Sequence, residues 1–143
     1  MIPMPTVRVF MDTETHALDH HLDIHEGVRH LIDAGITGAP VVDGGFLVGM
    51  FSEFECLRLL TKGTGQADVP DGTIGDYMIR EFHRISPDMD VYYVAGLFLA
   101  DPSTRRFPVV EGERLIGVIT RKDVLRAVEH HFQPLGSPVS VIG

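Results

Sequence analysis

The chain has one cysteine and no tryptophan in 143 residues, and its 12 lysines and arginines are outnumbered by 20 acidic residues. With Cys56 alone, an internal disulfide is excluded and a reducing compartment is favoured. The formal net charge of −8 argues against a nucleic-acid partner, because phosphate-backbone binding depends on clustered basic residues. The sequence also lacks an apolar run near the ~20 residues that span a bilayer, and it lacks the pattern of a secretory signal. We therefore expect a cytoplasmic protein without a membrane partner.

The sequence contains one pattern twice. Pro40–Val42 recurs as Pro108–Val110, and Leu47–Ser52 matches Leu115–Thr120, at a constant offset of 68 residues (40 to 108, 52 to 120). A fixed offset indicates two copies of one supersecondary unit. Each copy ends in a Gly-x-x-Ser/Thr-x-x-acid turn, where we expect any ligand to bind.

Each copy is predicted to fold as strand, helix, strand, strand, helix, which gives a mixed α/β (α+β) domain. One such unit has too small a core to be stable alone, so we expect two repeats related by a pseudo-two-fold axis that share one core. The predicted organisation is repeat 1 over residues 7–60, a linker over 61–72, repeat 2 over 73–131 and a C-terminal tail over 132–143.

The first helix of each copy is predicted from a capping residue and a periodic apolar face. Asp23 and Asp90 precede these helices, and Gly35 is a typical left-handed residue for the end of the first one. A single extra residue in repeat 2 is placed near Ser103-Thr104, where a surface loop tolerates it. The predicted apolar faces are Ile24, Val28, Leu31 and Ile32 in repeat 1, and Val91, Val94, Ala95, Phe98 and Leu99 in repeat 2.

Three paired features resemble the cystathionine β-synthase (CBS) domain, whose tandem pairs are called Bateman modules. They are a Pro-Val-Val strand with an acidic-glycine turn (Pro40–Gly45, Pro108–Gly112), the Gly-x-x-Ser/Thr-x-x-acid signature (Gly49–Glu55, Gly117–Asp123), and a short amphipathic segment ending in Met (Val7–Met11, Ile74–Met78). The resemblance implies a regulatory module, not an enzyme, that binds adenosine-containing ligands in clefts between its repeats. It also implies a homodimer, and we expect a stand-alone module that acts on a separate regulated partner.

Thr120 and Asp123 are the leading candidates for ligand contacts. A helix N-terminus favours anions, so a hydroxyl there can bond a phosphate and a carboxylate one turn later can accept from ribose hydroxyls. The same spacing is also an ordinary capping arrangement, and both interpretations stay open. Arginine suits bidentate phosphate contact, which favours Arg106, and a solvated basic surface is the alternative interpretation of the arginines near this turn. The predicted contacts of this cleft 2 are Thr120, Asp123, Arg106, Pro108, Ile85 and Lys122, with Ile85 and Pro108 assigned to the base by resemblance.

The matching pair in repeat 1 is Ser52 and Glu55, which departs from the usual Asp of the family. Ser-x-x-Glu is the better capping box, and Glu53 adds negative charge where a phosphate would bind. We therefore predict an asymmetric module. Cleft 2 takes AMP, ADP or ATP, or less favourably S-adenosylmethionine or NAD, while cleft 1 takes a less charged adenosine compound or none. The predicted contacts of cleft 1 are Ser52, Glu55, Pro40 and Leu18.

Three other functions are weighed against a nucleotide sensor. A protein-interaction or dimerisation scaffold with degenerate clefts is the main alternative. An enzyme is disfavoured, because Cys56 lies among leucines as an inert thiol would, and no glycine-rich phosphate loop or nucleophile elbow is present. A metal site is not expected either, although some histidines recur at four-residue spacing. These histidines are His16, His20, His21, His25 and His30.

Overall fold

The computed structural model describes residues 5–61 and 70–132, and it has the mixed α+β composition that the sequence predicts. The predicted linker and C-terminal tail lie largely outside these residues. Among the described helices, none is long and apolar enough to cross a membrane. The helices are α1 (Val7–Phe10), α2 (Ile24–Ala34), α3 (Glu53–Thr61), α4 (Ile74–Tyr77), α5 (Val91–Ala100) and α6 (Arg121–Phe132). The strands are β1 (Leu18–Asp19), β2 (Gly38–Asp43), β3 (Phe46–Ser52), β4 (Arg106–Glu111) and β5 (Arg114–Thr120).

The described residues divide into two compact units. The Thr120 unit contains residues 5–13, 84–111 and 116–132, and the Ser52 unit contains residues 14–61, 70–83 and 112–115. In the Ser52 unit, β1 pairs in parallel with β2, and β2 pairs antiparallel with β3. In the Thr120 unit, β4 is bonded to β5, and a single parallel bridge from Ile85 to Val109 takes the place of β1.

Each unit buries its own apolar cluster, where the sequence predicts one shared core. The cluster of the Thr120 unit includes Val7 of α1, and the cluster of the Ser52 unit includes Ile74 and Met78 of α4. The short helix that precedes each repeat in sequence therefore completes the core of the unit built on the other repeat. Two clusters form because each entering helix supplies the apolar surface that a lone repeat lacks.

The glycine of the repeated signature is required by this exchange. A Cβ atom at Gly117 would lie 2.9 Å from Sδ of Met11, and one at Gly49 would lie 2.4 Å from Sδ of Met78. Both methionines end the short helices α1 and α4. A side chain at either glycine would therefore push the exchanged helix away from its strand.

The two long repeat helices begin as predicted, but their apolar faces are narrower. Asp23 accepts from N of His25, Asp90 accepts from N of Tyr92, and Gly35 is left-handed at φ 67°. The predicted core positions Ile32 and Leu99 are wrong, since they are 73% and 82% exposed. Each lies eight residues after the first buried residue of its helix, and at about 100° per residue this rotates it about 80° off the buried face.

Candidate functional site

Thr120 and Asp123 form a complete capping box at the junction of β5 and α6. Oδ2 of Asp123 accepts from N and Oγ1 of Thr120 at 2.8 and 3.0 Å. Oγ1 of Thr120 in turn accepts from N of Asp123 at 3.3 Å. Thr120 is half-buried and Asp123 is 6% exposed. The capping interpretation is therefore confirmed, and it fixes both polar groups at the start of the helix.

Arg126 is a further member of this group, and the sequence analysis missed it. Its Nη2 lies 2.8 Å from Oδ1 of Asp123 and also donates to the carbonyl of Phe10 at 3.2 Å. The spacing of three residues on one helix face is the signal that could have identified it. A carboxylate accepts about four hydrogen bonds and Asp123 makes three with these partners, so Oδ1 keeps capacity for one more hydroxyl.

Arg106 provides a half-buried cation beside Asp123. It begins β4, it is half-buried, and among the described residues its buried Nε has no hydrogen-bond partner. Burial lowers the pKa of the Arg106 guanidinium, and the charge of Asp123 acts in the opposite direction. An arginine remains charged in this setting, so its unpaired donor is suited to an oxyanion.

The other basic side chains near this turn, Arg121 and Lys122, differ in their contacts. Arg121 donates to the carbonyls of Pro102 and Thr104, and its guanidinium lies 5.9 Å from the centre of the Phe98 ring. Lys122 is exposed on the first turn of α6. Arg121 therefore holds the loop that carries the extra residue of repeat 2.

The predicted base-binding residues of cleft 2 lie in the same unit as this turn. Ile85 is fully buried, donates from N to the carbonyl of Pro108 at 3.0 Å, and accepts at its carbonyl from N of Val110 at 2.8 Å. Pro108 is also fully buried. The structure thus places both residues in the core of the Thr120 unit, in the segments that the sequence indicates.

Ser52 and Glu55 form the matching arrangement in the other unit. Oε1 of Glu55 accepts from N and Oγ of Ser52 at 2.9 and 3.1 Å, and Glu55 is 5% exposed. Oγ of Ser52 accepts from N of Phe54 at 3.2 Å. Arg58 holds the position that corresponds to Arg126, but among the described residues it forms no ion pair with Glu55. The carboxylate of repeat 1 therefore lacks the cation that Asp123 has.

The remaining predicted residues of cleft 1 are in the core of the Ser52 unit. Leu18 is 2% exposed and pairs with Val41 across β1 and β2. Pro40 is fully buried and lies opposite Met50. These positions mirror those of Ile85 and Pro108, as expected for two copies of one unit.

Cys56, His25 and His30 have structural surroundings. Burial, with the negative charges of Glu55 and Glu53, raises the pKa of the Cys56 thiol. His25 is bonded to the carbonyl of Pro70 at 2.7 Å, and His30 to that of His16 at 3.2 Å. A raised thiol pKa lowers the reactive thiolate fraction of Cys56.

Comparison with known proteins identifies the family of this chain. The profile of the CBS domain matches residues 7–62 and 74–130. The A-adding tRNA nucleotidyltransferase of Aquifex aeolicus is 32% identical over 130 residues, which are 90% of this chain and 15% of that enzyme. The corresponding enzyme of Geobacter sulfurreducens is 30% identical over 99% of this chain and 15% of its own length. The chain therefore spans about 15% of the length of these two relatives.

Solved structures have the same fold. The structure of CBSX2 in complex with AMP has a TM-score of 0.77 and 26% identity, and the match covers 90% of this chain and 99% of that one. CBSX2 is a protein of Arabidopsis thaliana. The CBS domain pair of MJ0100, in complex with 5′-methylthioadenosine and S-adenosyl-L-methionine, has a TM-score of 0.74 and 24% identity over 90% of this chain and 99% of that one. The likeness to MJ0100 concerns the fold alone.

Proposed function

The chain belongs to the CBS domain family, and we propose that it is a regulatory module that binds an adenine nucleotide in the Thr120 unit. Thr120 and Arg106 contact the phosphate, Asp123 accepts from the ribose, and Ile85 and Pro108 border the base. Lys122 adds positive charge at the entrance. The complex of CBSX2 with AMP supports an AMP-type ligand.

The proposal depends mainly on the Nε of Arg106, unpaired among the described residues. A buried Nε that has no partner in the described part of the chain is costly, because a polar group removed from water needs a hydrogen bond. A phosphate oxygen beside the N-terminus of α6 would supply that bond and would also meet the positive end of the helix.

The two units are proposed to differ in their ligands. In the Thr120 unit, Arg106 and Arg126 accompany one buried carboxylate, whereas in the Ser52 unit Glu55 has no arginine partner among the described residues and Glu53 precedes it. A phosphate dianion is therefore favoured in the first and repelled in the second. Ser52, Glu55, Pro40 and Leu18 are accordingly assigned to a less charged adenosine compound or to none.

The regulatory step is proposed as a population shift. A ligand that binds one conformation of the module more tightly raises the fraction of that conformation, and a protein partner responds to it. We propose a cytoplasmic homodimer and no catalytic role for this chain. The activity of the nucleotidyltransferases belongs to enzymes of which this chain matches a small part.

The alternative function is a non-catalytic interaction scaffold with degenerate ligand sites. The observation in its favour is that the hydroxyl of each turn already donates to the carboxylate of the same turn. In a scaffold, these groups would only start α3 and α6, and no ligand would change the stability of the protein.

A thermal-shift panel separates the two functions. AMP, ADP, ATP, S-adenosylmethionine, NAD and adenosine would each be tested with and without Mg²⁺. A ligand present at 100 times its Kd adds about 2.7 kcal/mol to stability, which is readily detected. Stabilisation by a phosphorylated adenosine supports the sensor, and a panel without any shift supports the scaffold.

A further inference from the structure

The Ser52 unit contains a cluster of potential metal ligands that is separate from both capping boxes. His20, His21 and Asp43 offer two imidazole nitrogens and a carboxylate oxygen, and these three atoms all lie within 4.8 Å of one another. The cluster joins adjacent residues after β1 to the last residue of β2. It is therefore unlike the four-residue histidine spacings in the sequence, and only the pairing of β1 with β2 forms it.

The backbone holds these residues in place. N of His20 donates to the carbonyl of Val42 at 3.0 Å, and the carbonyl of His20 accepts from N of Gly75 at 2.9 Å. N of His21 donates to Oδ1 of Asp19 at 2.8 Å. The backbone of His20 and His21 is therefore held by hydrogen bonds, and binding a cation would restrict mainly the side chains.

The distance between the ligand atoms of His20 and Asp43 already suits a tetrahedral ion. Nε2 of His20 lies 3.3 Å from Oδ2 of Asp43. Zinc bonds of about 2.05 Å at a tetrahedral angle place two ligand atoms about 3.3 Å apart. Although Nε2 of His20 is this close, it is buried and makes no hydrogen bond with any described residue. The imidazole rings of His20 and His21 are tilted by 40° to one another, with centroids 3.7 Å apart.

We propose that His20, His21 and Asp43 bind one divalent transition cation of the zinc class. Two imidazoles and one carboxylate suit Zn²⁺ or Co²⁺, whereas Mg²⁺ and Ca²⁺ prefer oxygen ligands alone. Three protein ligands leave a position for water. The bound cation would tie the end of β1 to the end of β2 beside the start of α4, and it would stabilise the Ser52 unit.

Cobalt titration of the full chain tests this site, because Co²⁺ replaces Zn²⁺ and absorbs visible light. After treatment with a chelator, we expect one Co²⁺ per chain with the d–d bands of four- or five-coordination, displaced by Zn²⁺ and unaffected by Mg²⁺. His21→Gln and Asp43→Asn change exposed side chains, so the fold is retained and can be verified by circular dichroism. Each variant should lower the affinity by more than about tenfold.

The pair His16 and His30 supplies the matched control, with ring centroids 6.3 Å apart in the same unit. The double variant His16→Gln/His30→Gln should keep the affinity of the parent chain. An equal loss in this control, or full binding by Asp43→Asn, would overturn the proposal and assign the cation to non-specific histidine contact. Absence of cobalt binding would also overturn the proposal.

Discussion

The ion pair between Asp123 and Arg126 gives the sharpest prediction, because the repeated sequence contains its own control. Arg126 lies three residues after Asp123, and Arg58 lies three residues after Glu55, at the constant offset of 68 (58 to 126). Both acids are buried in capping boxes, but only Asp123 pairs with its arginine, at 2.8 Å. Double-mutant cycles should therefore give a coupling free energy in the Thr120 unit and none in the Ser52 unit.

The expected magnitudes follow from exposure. The side chain of Asp123 is 8% exposed and that of Arg126 is 57% exposed, so solvent screens the pair and its coupling should be about 0.5–1 kcal/mol. For Glu55 and Arg58, the coupling should remain within about 0.3 kcal/mol of zero. Asp123→Ala alone should lower the free energy of unfolding by about 2–3 kcal/mol, because it removes the capping box and the hydrogen bonds to a buried carboxylate.

Urea unfolding followed by far-UV circular dichroism measures these coupling free energies and the loss of stability in Asp123→Ala. Each cycle needs the parent chain, the two single alanine variants and the double variant, all without ligand. High salt should reduce the coupling of Asp123 with Arg126, since ion pairs that face solvent are screened. Equal couplings in the two units would refute the reasoning, and so would a loss below 0.5 kcal/mol for Asp123→Ala.

Three further predictions follow from single sites. Gly49→Ala should destabilise the fold by about 1–3 kcal/mol in urea unfolding, because its Cβ would meet Met78, whereas Gly96→Ala in open space should be neutral or stabilising; equal effects would contradict this. Hydrogen bonds from Thr104 and Ser103 hold the pKa of Asp101 below its ordinary value of 3.8, so the stabilisation from this carboxylate is present above that value and is lost as pH falls through the lower folded pKa. NMR titration should show a lowered pKa for Asp101, and an ordinary pKa of 3.8 would refute these hydrogen bonds. Cys56 should react with iodoacetamide at neutral pH more slowly than glutathione does, and equal rates in the folded protein would contradict the raised thiol pKa.

Local patterns in the sequence predicted most of the fold. The capping residues Asp23 and Asp90, the left-handed Gly35 and the bounds of β5 all depend on neighbours within a few residues, which the sequence displays directly. The constant offset of the repeats also located both capping boxes. These features could be predicted because each is determined by backbone geometry over one turn of chain.

Features that depend on distant residues could not be predicted in the same way. The exchange of α1 and α4 between the two units has no local signal, since each short helix has the same pattern wherever it packs. The ion pair of Arg126 requires a rotamer choice, because the identical spacing at Arg58 does not form one. The cluster of His20, His21 and Asp43 depends on which strand lies beside β1.

Calorimetric titration with AMP and with adenosine tests the central claim most directly, using the parent chain, Arg106→Gln and the exposed neighbour Arg105→Gln as control. If the guanidinium of Arg106 binds phosphate, Arg106→Gln should weaken the binding of AMP by about tenfold or more. The same variant should change the affinity for adenosine little. Arg105→Gln should leave both affinities near those of the parent chain. Equal losses for AMP and adenosine in Arg106→Gln, or no binding of either by the parent chain, would contradict the account.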